Sequence, residues 1–444
     1  MGVATTGTMA SPTNGVRSPD DAVTDVLTAV LVDGAAATVV ASPPGAGKTY
    51  LVELVASSAA LLGSMRVVIA CQTNAQMLDL AHRATAAYPQ LPLWILGRRG
   101  FTLPPTLHGA QLATKPTDLP DGPIVVLATA AKLTWLPVDA DPFDLLIVDE
   151  AWQTTDATFA QIAPSGAQAL LVGDPGQIAP VVVSDIRRWR SDPTGPHVAA
   201  PDALLRRRAG DVRLVNLPAT RRLGDDTTGA VSPTFYPDLP FRSVRPAATA
   251  DFDTTAAGPA AEPLDRVAEG QEIVLVEVAG DPHAGVHDPD VARAVAGVAR
   301  AATNGEAAHG GNPARPATVG VACAHVTQVA AVSALLGAGH TIHIDTMDRL
   351  QGLEFDVTVV WHPLSGRTEP TEFSRDAGRM CVAVSRHRLG CVVVSRPGTL
   401  DTLARAGAGN ERVLGVDIDP AYRGWRANVG LLDHLHTTDR IITT

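Results

Sequence analysis

Aromatic side chains are scarce in this sequence, at 4% of 444 residues. Any core must therefore be built from Ala, Val and Leu, for which a hydrophobic content of 45% suffices. Lysine is scarcer still: only Lys48, Lys115 and Lys132 occur, and every other basic side chain is arginine. The four cysteines, Cys71, Cys323, Cys381 and Cys391, lie far apart in apolar segments and form no CxxC pair. That excludes a disulfide framework and a paired-thiolate zinc site, and leads us to expect buried, reduced thiols in a cytoplasmic protein. No run approaches the roughly 20 apolar residues that span a bilayer. The opening segment lacks a basic flank followed by an apolar stretch, so neither a secretory signal nor a membrane partner is expected. Positive charge is also short. A net charge of −11 argues against loose binding of a polyanion over the whole surface, though not against a local basic groove. Arginine clusters at Arg98–Arg99, Arg187–Arg188 and Arg206–Arg208 are candidates to line one.

What is present is more specific. An apolar run, Ala37–Ala41, leads into Ser42-Pro43-Pro44-Gly45-Ala46-Gly47-Lys48-Thr49, after which a helical pattern begins. A strand, a glycine-rich turn and a helix starting at Lys-Thr make a phosphate cradle. Successive backbone N–H groups point at an anion, and the positive end of the helix adds to the field. The Lys48 ammonium is placed to reach the β- and γ-phosphates, and the Thr49 hydroxyl to bind Mg²⁺. Ser42 stands where this pattern usually has glycine; a serine holds such a turn through a side-chain hydrogen bond to the backbone.

Short apolar runs alternate with Ala-rich helical stretches, the pattern of parallel sheets covered on both faces. Strands are expected at Ala37–Ala41, Arg66–Ala70, Ile124–Ala128, Leu145–Val148 and Ala169–Val172, with helices at Lys48–Leu62 and Ala75–Tyr88. This is a doubly wound α/β domain over residues 21–213, with a small insertion near 90–122. A second α/β set, 214–420, carries strands at Glu272–Val278, Ala317–Ala322, Thr341–Ile344, Asp356–Trp361 and Gly390–Ser395. Its helices are expected at Asp290–Ala302, Val326–Leu336 and Arg375–Ser385. It holds no second phosphate cradle, so one nucleotide site serves both. Residues 1–20 read as a disordered tail and 421–444 as a C-terminal extension. Arg242–Pro263 and Gly305–Pro316 read as loose connections.

Two carboxylates, Asp149 and Glu150, follow the apolar strand Leu145–Val148. Beside a phosphate cradle they divide the labour: Asp149 in the Mg²⁺ shell, Glu150 orienting and deprotonating the attacking water. Next comes Gly173-Asp174-Pro175-Gly176-Gln177-Ile178-Ala179-Pro180, again after an apolar strand. Gly, Asp and Pro there suit an ordinary turn; Gln177 is the residue a turn does not need, and it is placed to sense the γ-phosphate. Trp152 suits either a stacking role near a bound base or packing beneath the sheet. His283 and His287 lie four apart in a Gly/Pro-containing loop, and no metal site is assigned to them.

In this order the segments resemble those of superfamily 1 helicases. Asp149-Glu150-Ala151-Trp152-Gln153 is similar to motif II and Gly173-Asp174-Pro175-Gly176-Gln177 to motif III. Leu217–Leu223 resembles motif IV, with Arg222 in the place of its arginine. Thr346-Met347-Asp348-Arg349-Leu350-Gln351-Gly352-Leu353-Glu354-Phe355-Asp356 resembles motif V, and Gly378–Arg388 resembles motif VI. Cys71–Ala75 resembles motif Ia, and Thr129-Ala130 a further strand-contacting motif. The form of motif V is similar to that of the branch containing the nonsense-mediated-decay helicase.

The resemblance implies two RecA-like domains with ATP between them. It implies a nucleotide site from Ser42, Pro44, Gly45, Ala46, Gly47, Lys48, Thr49 and Tyr50, with Gly352 and with Glu354 on the ribose. It implies that Arg222 and Arg386 reach the γ-phosphate from the second domain, and that Thr73, Asn74, Thr129 and Thr346 touch the backbone of a single strand. The Ala- and Arg-rich composition leads us to expect DNA rather than RNA. No glutamine precedes Lys48, so the family's adenine-reading residue has no counterpart. The expected function is an ATP-dependent helicase or translocase. A translocase that does not unwind, and an ATP-gated switch within a larger repair or defence assembly, are the alternatives.

Overall fold

The computed structural model describes residues 18–136, 143–182, 184–189, 192–405 and 419–444; the expected tail falls almost wholly outside them. Eight strands form the first sheet: β1 (Ala37–Ala41), β2 (Arg66–Cys71), β3 (Leu93–Leu96), β4 (Ala110–Ala113), β5 (Ile124–Thr129), β6 (Phe143–Asp149), β7 (Gly166–Gly173) and β8 (Val212–Asn216). Their spatial order is β4-β3-β5-β2-β6-β7-β1-β8, and every pairing is parallel. Strands buried on both faces explain the unbroken Val, Ile and Leu runs. Because all eight run the same way, the turns after β1, β2, β5, β6 and β7 gather on one edge.

The second sheet has six parallel strands: β9 (Ile273–Glu277), β10 (Val319–Cys323), β11 (His343–Thr346), β12 (Phe355–Trp361), β13 (His387–Ser395) and β14 (Ile441–Thr443), in the order β11-β10-β12-β13-β9-β14. Both sheets are thus of the RecA-like kind. The two lobes share one continuous apolar cluster, which includes Val39, Val148 and Leu171 from the first sheet and Leu275, Val360 and Val393 from the second.

Four expectations are corrected. Residues 90–122 are not a separate insertion; β3 and β4 extend the first sheet at its edge. The expected boundary at 213–214 cuts through β8, whose pairing with β1 runs from Val212 to Asn216, so the first lobe extends further. The two loose connections instead contain strands, Ala248–Phe252, Gly305–His309 and Arg315–Pro316, that pair as a small antiparallel sheet. The C-terminal extension is a helix, Pro420–Thr437, followed by β14, which joins the second sheet against β9.

Candidate functional site

The phosphate loop is held from both sides. On one, the Ser42 N–H donates to the Gly173 carbonyl (2.9 Å) at the end of β7. On the other, the segment leaving β8 runs alongside: Leu217 N–H donates to the Ala41 carbonyl and Arg221 N–H to the Gly45 carbonyl, both at 2.9 Å. Gly45 has φ 71°, and a Cβ there would lie 2.3 Å from the Cβ of Arg222, so only glycine lets the two segments approach. The helix Lys48–Leu61 begins at Gly47 with no side chain capping it, leaving its first N–H groups free for an anion. Ser42 and Ala46 are buried, Thr49 is half-buried, and Tyr50 is exposed.

Lys48 Nζ lies 3.8 Å from a carboxylate oxygen of Asp174, whose side chain is fully buried. Asp174 is a hub. It accepts from the Gly176 N–H (2.9 Å), from Gln177 Nε2 (2.6 Å) and from the Tyr236 hydroxyl (2.8 Å). Gln351, from the loop between β11 and β12, donates to Gln177 Oε1 at 3.0 Å. Tyr236 also lies 3.2 Å from Cys381 Sγ on the helix Ala377–Ala383. A chain of contacts therefore leads from Lys48 through Asp174 and Gln177 into the second lobe.

Asp149 and Glu150 end β6 on the same edge, both half-buried. Burial, with the Glu150 charge beside it, pushes the Asp149 carboxyl up to about 7, against the pull of Lys48. Glu150 has φ 51°, in the left-handed region, and its N–H donates to Asp149 Oδ1 at 2.9 Å. For a residue with a Cβ this conformation costs roughly 1–2 kcal/mol and aims the side chain away from the strand direction.

Of the three arginines around the start of β13, Arg379 pairs with Asp348 at 3.1 Å and Arg388 with Glu354 at 2.7 Å. Arg386 is only 1% exposed, and among the described residues no carboxylate pairs with it. Its Nε donates to the Val382 carbonyl (3.3 Å), and its buried Nη2 has no partner. Burial and the nearby Arg222 charge both push its pKa down. Arg222 donates to the Ser385 carbonyl (3.1 Å) and to Glu354, while its own Nε is buried without a partner. A buried guanidinium without a counter-ion, beside a second one, is costly unless an anion arrives. The glycine cradle, the free helix N-terminus and these unpartnered donors fit a polyphosphate. The half-buried Asp149 and Thr49 fit a cation beside it.

Other expected residues fall as follows. Glu354 lies between Arg222 and Arg388. Burial alone would raise its pKa, but the two guanidiniums bring it to about 2. Gly352 is exposed with φ 85°. Thr73 and Asn74 are exposed at the edge beyond β2; the Thr73 hydroxyl accepts the N–H of Gln76 and caps the helix Asn74–Ala87. Thr129 caps the next short helix in the same way, through the N–H of Lys132. Each capping hydroxyl still has its own proton to donate. Thr346 ends β11 at the corresponding edge of the second sheet but is only 9% exposed. Trp152 is 7% exposed and donates to Asp202 at 2.9 Å, which fixes it as a packing residue rather than a stacking one.

One expected placement is corrected. The backbone before Arg222 is hydrogen-bonded to the phosphate loop, so Arg222 is carried by the first lobe and only its side chain crosses to the second. Sequence reasoning passed over Asp174, Gln351 and Tyr236. Asp174 lay within a motif but read as a turn residue, Gln351 lay in another without a role, and nothing in its neighbourhood marked Tyr236.

Two parallel sheets, with a phosphate loop on one and a buried arginine on the other, define a two-lobed P-loop nucleoside-triphosphatase fold. Family models, each described as an AAA domain, match residues 21–192 and 291–397 and together cover more than half of the chain. The chain belongs to the superfamily 1 helicases, whose motifs it carries in order. A search of curated proteins finds no match. Among solved structures it is similar to the helicase of the arterivirus PRRSV (17% identity, 85% of this chain and 54% of that one, TM-score 0.41). It is also similar to arterivirus nonstructural protein 10, a helicase, solved with DNA (16%, 83% and 62%, TM-score 0.44). A third is the Escherichia coli DEAH/RHA helicase HrpB (12%, 87% and 43%, TM-score 0.42). The chain spans less than two thirds of the length of each. Among the described residues no helix is long and apolar enough to cross a membrane, and no cluster of His, Cys, Asp and Glu could hold a metal by itself.

Proposed function

We propose that the chain hydrolyses ATP in the cleft between its lobes and uses the cycle to move along single-stranded nucleic acid, DNA in preference to RNA, unwinding duplex ahead of it. The observation that carries this reading is Arg386: a buried guanidinium that makes no ion-pair contact among the described residues, lying near both Arg222 and the carboxylate of Asp174. The γ-phosphate is the anion it waits for.

Lys48 exchanges Asp174 for the β- and γ-phosphates. Thr49 and Asp149 would hold Mg²⁺, which would neutralise charge on the phosphate oxygens. Glu150, at the end of β6 beside Asp149, takes the proton of the attacking water. Arg222 and Arg386 neutralise the charge that spreads over the equatorial oxygens during transfer. Gln177, joined to both Asp174 and Gln351, reports the change to the second lobe. Thr73, Asn74 and Thr129 on one sheet edge, and Thr346 on the other, hold phosphodiester groups without base preference; Thr346 becomes accessible as the lobes shift. Alternation between the two grips produces stepping. A translocase that does not unwind is favoured by one observation: among the described residues, the strands outside the two large parallel sheets form only a two-stranded pair and a three-stranded antiparallel sheet.

The test is ATP turnover with and without single-stranded DNA or RNA, beside Glu150→Gln. The wild type is expected to be stimulated by the strand. The variant should keep ATP binding and lose turnover by about two to four orders of magnitude, as for loss of a positioned base and its charge. Equal turnover with and without strand overturns the motor, and undiminished turnover in the variant overturns the role of Glu150. A forked duplex beside a protein-displacement assay separates unwinding from translocation.

A further inference from the structure

A cavity of about 540 Å³ is lined by five arginines, Arg221, Arg222, Arg245, Arg315 and Arg388, with His309 and Asn312. Two of its lining residues tie it to the phosphate loop. Arg221 and Arg222 belong to the segment pinned to Gly45, and Arg221 Nη1 comes within 3.8 Å of where a Cβ on Gly47 would sit. If the loop holds the phosphates of a nucleotide, this is the neighbouring room into which the rest of the molecule can extend.

Guanidinium donors predominate on its wall, with Asn312 able both to donate and to accept. Arg245 is held by Glu272, Arg315 by Asp356 (2.7 Å), and Arg222 and Arg388 by Glu354, so carboxylates behind the wall fix these guanidinium groups in place. Arg221 is exposed, and no carboxylate pairs with it among the described residues. A guanidinium donates and never accepts. Guanine presents two adjacent acceptors, O6 and N7, which match an arginine fork. Adenine presents N7 beside an amino donor, which a guanidinium cannot satisfy. No glutamine precedes the phosphate loop to read adenine instead.

We infer that this arginine-walled cavity takes the base of the nucleotide and accepts guanine at least as well as adenine, with Arg221 as the specificity-determining residue. The inference rests on the nucleotide site proposed above.

The full-length protein is tested by competition of unlabelled ATP and GTP, each with Mg²⁺, against a fluorescent nucleoside diphosphate. GTP is expected to displace the probe at concentrations equal to or below those of ATP. ATP binding tenfold or more tighter than GTP overturns the inference and leaves the motor reading standing. Displacement by neither nucleotide overturns both. In Arg221→Ala the ratio of GTP to ATP affinity should fall about tenfold, the size of one bidentate contact. Arg221→Lys should not restore it, since an ammonium lacks the fork. An equal loss for both nucleotides would place Arg221 on phosphate alone and overturn its assignment. Because its side chain is exposed, neither variant threatens the fold.

Discussion

Single residues in this site are held in conditions a stable fold would avoid. Glu150 occupies a left-handed conformation, and Arg386 is a buried charge with no ion-pair contact among the described residues and a guanidinium nitrogen left unpartnered. Removing such a charge should help the empty protein and harm its chemistry. Arg386→Met is therefore expected to raise the melting temperature without nucleotide, because a buried unpaired charge is replaced by an apolar chain of similar reach. The same variant should turn over ATP at least a hundredfold more slowly, since one arginine on the transferring phosphoryl is worth about 10³ or more. A lower melting temperature, or normal turnover, would show that Arg386 has a counter-ion in the working protein. Lys48→Ala is different in kind: it should weaken nucleotide binding itself, read as a loss of probe displacement by ATP.

Elements carry the next level of claims. The small antiparallel sheet is fastened to the second lobe at Asp356, the fully buried second residue of β12. Asp356 accepts from Arg315 (2.7 Å), from both the N–H and the hydroxyl of Thr318 (2.8 and 2.7 Å), and lies 2.8 Å from His309. Burial would raise its pKa, but these partners, led by Arg315, bring it to about 2. A carboxyl lowered on folding stabilises the protein above its unfolded value, near 3.8, and that contribution is lost as pH falls toward 2. Asp356→Asn should therefore cost about 1.5–3 kcal/mol at pH 7, the range for a hydrogen-bonded charge, with the deficit shrinking below pH 4. Thermal melts of both proteins from pH 3 to pH 7 read this directly, and a constant deficit would contradict it.

Elements are also where sequence reading succeeded and stopped. β1 and the helix Val326–Leu336 were legible to the residue, and most other parallel strands to within a few, because full burial on both faces leaves an unbroken apolar signature. The antiparallel sheet was not, since Ala250, Ala307 and Pro316 carry too little side chain to show alternation. Three-residue β14 is too short for any period to register. At the site, Lys48, Asp149 and Glu150 stood out through their place after apolar strands, and Arg386 only through the resemblance of its segment to motif VI. Asp174 did not, because a buried hub and a turn-forming aspartate are the same letter in Gly-Asp-Pro-Gly.

At the scale of the whole molecule, the lobes communicate through a few polar contacts set in a shared apolar interface. Gly378 shows how close they come: a Cβ there would sit 2.6 Å from the Gln177 carbonyl oxygen. Tyr236 is one bridge and Gln351 another. Tyr236→Phe deletes a hydrogen bond to a buried carboxylate while keeping the ring in place, a loss of about 1.5–3 kcal/mol of coupling. The expected result is a fall of roughly tenfold or more in the ratio of strand-stimulated to basal ATP turnover, by the same conversion. A preserved ratio would mean that Asp174 is positioned without Tyr236.

The clamp between Arg221 and Gly45 locates the pivot of this machine. Since the polypeptide from Leu217 to Arg221 is stitched to the nucleotide loop, relative rotation of the halves has to begin downstream of that seam. In the proposed cycle Arg222 stays with the nucleotide loop, while Arg386 departs and returns with the second lobe. Each opening must then tear Arg222 away from Glu354 and from the Ser385 carbonyl, and each closure must remake both contacts.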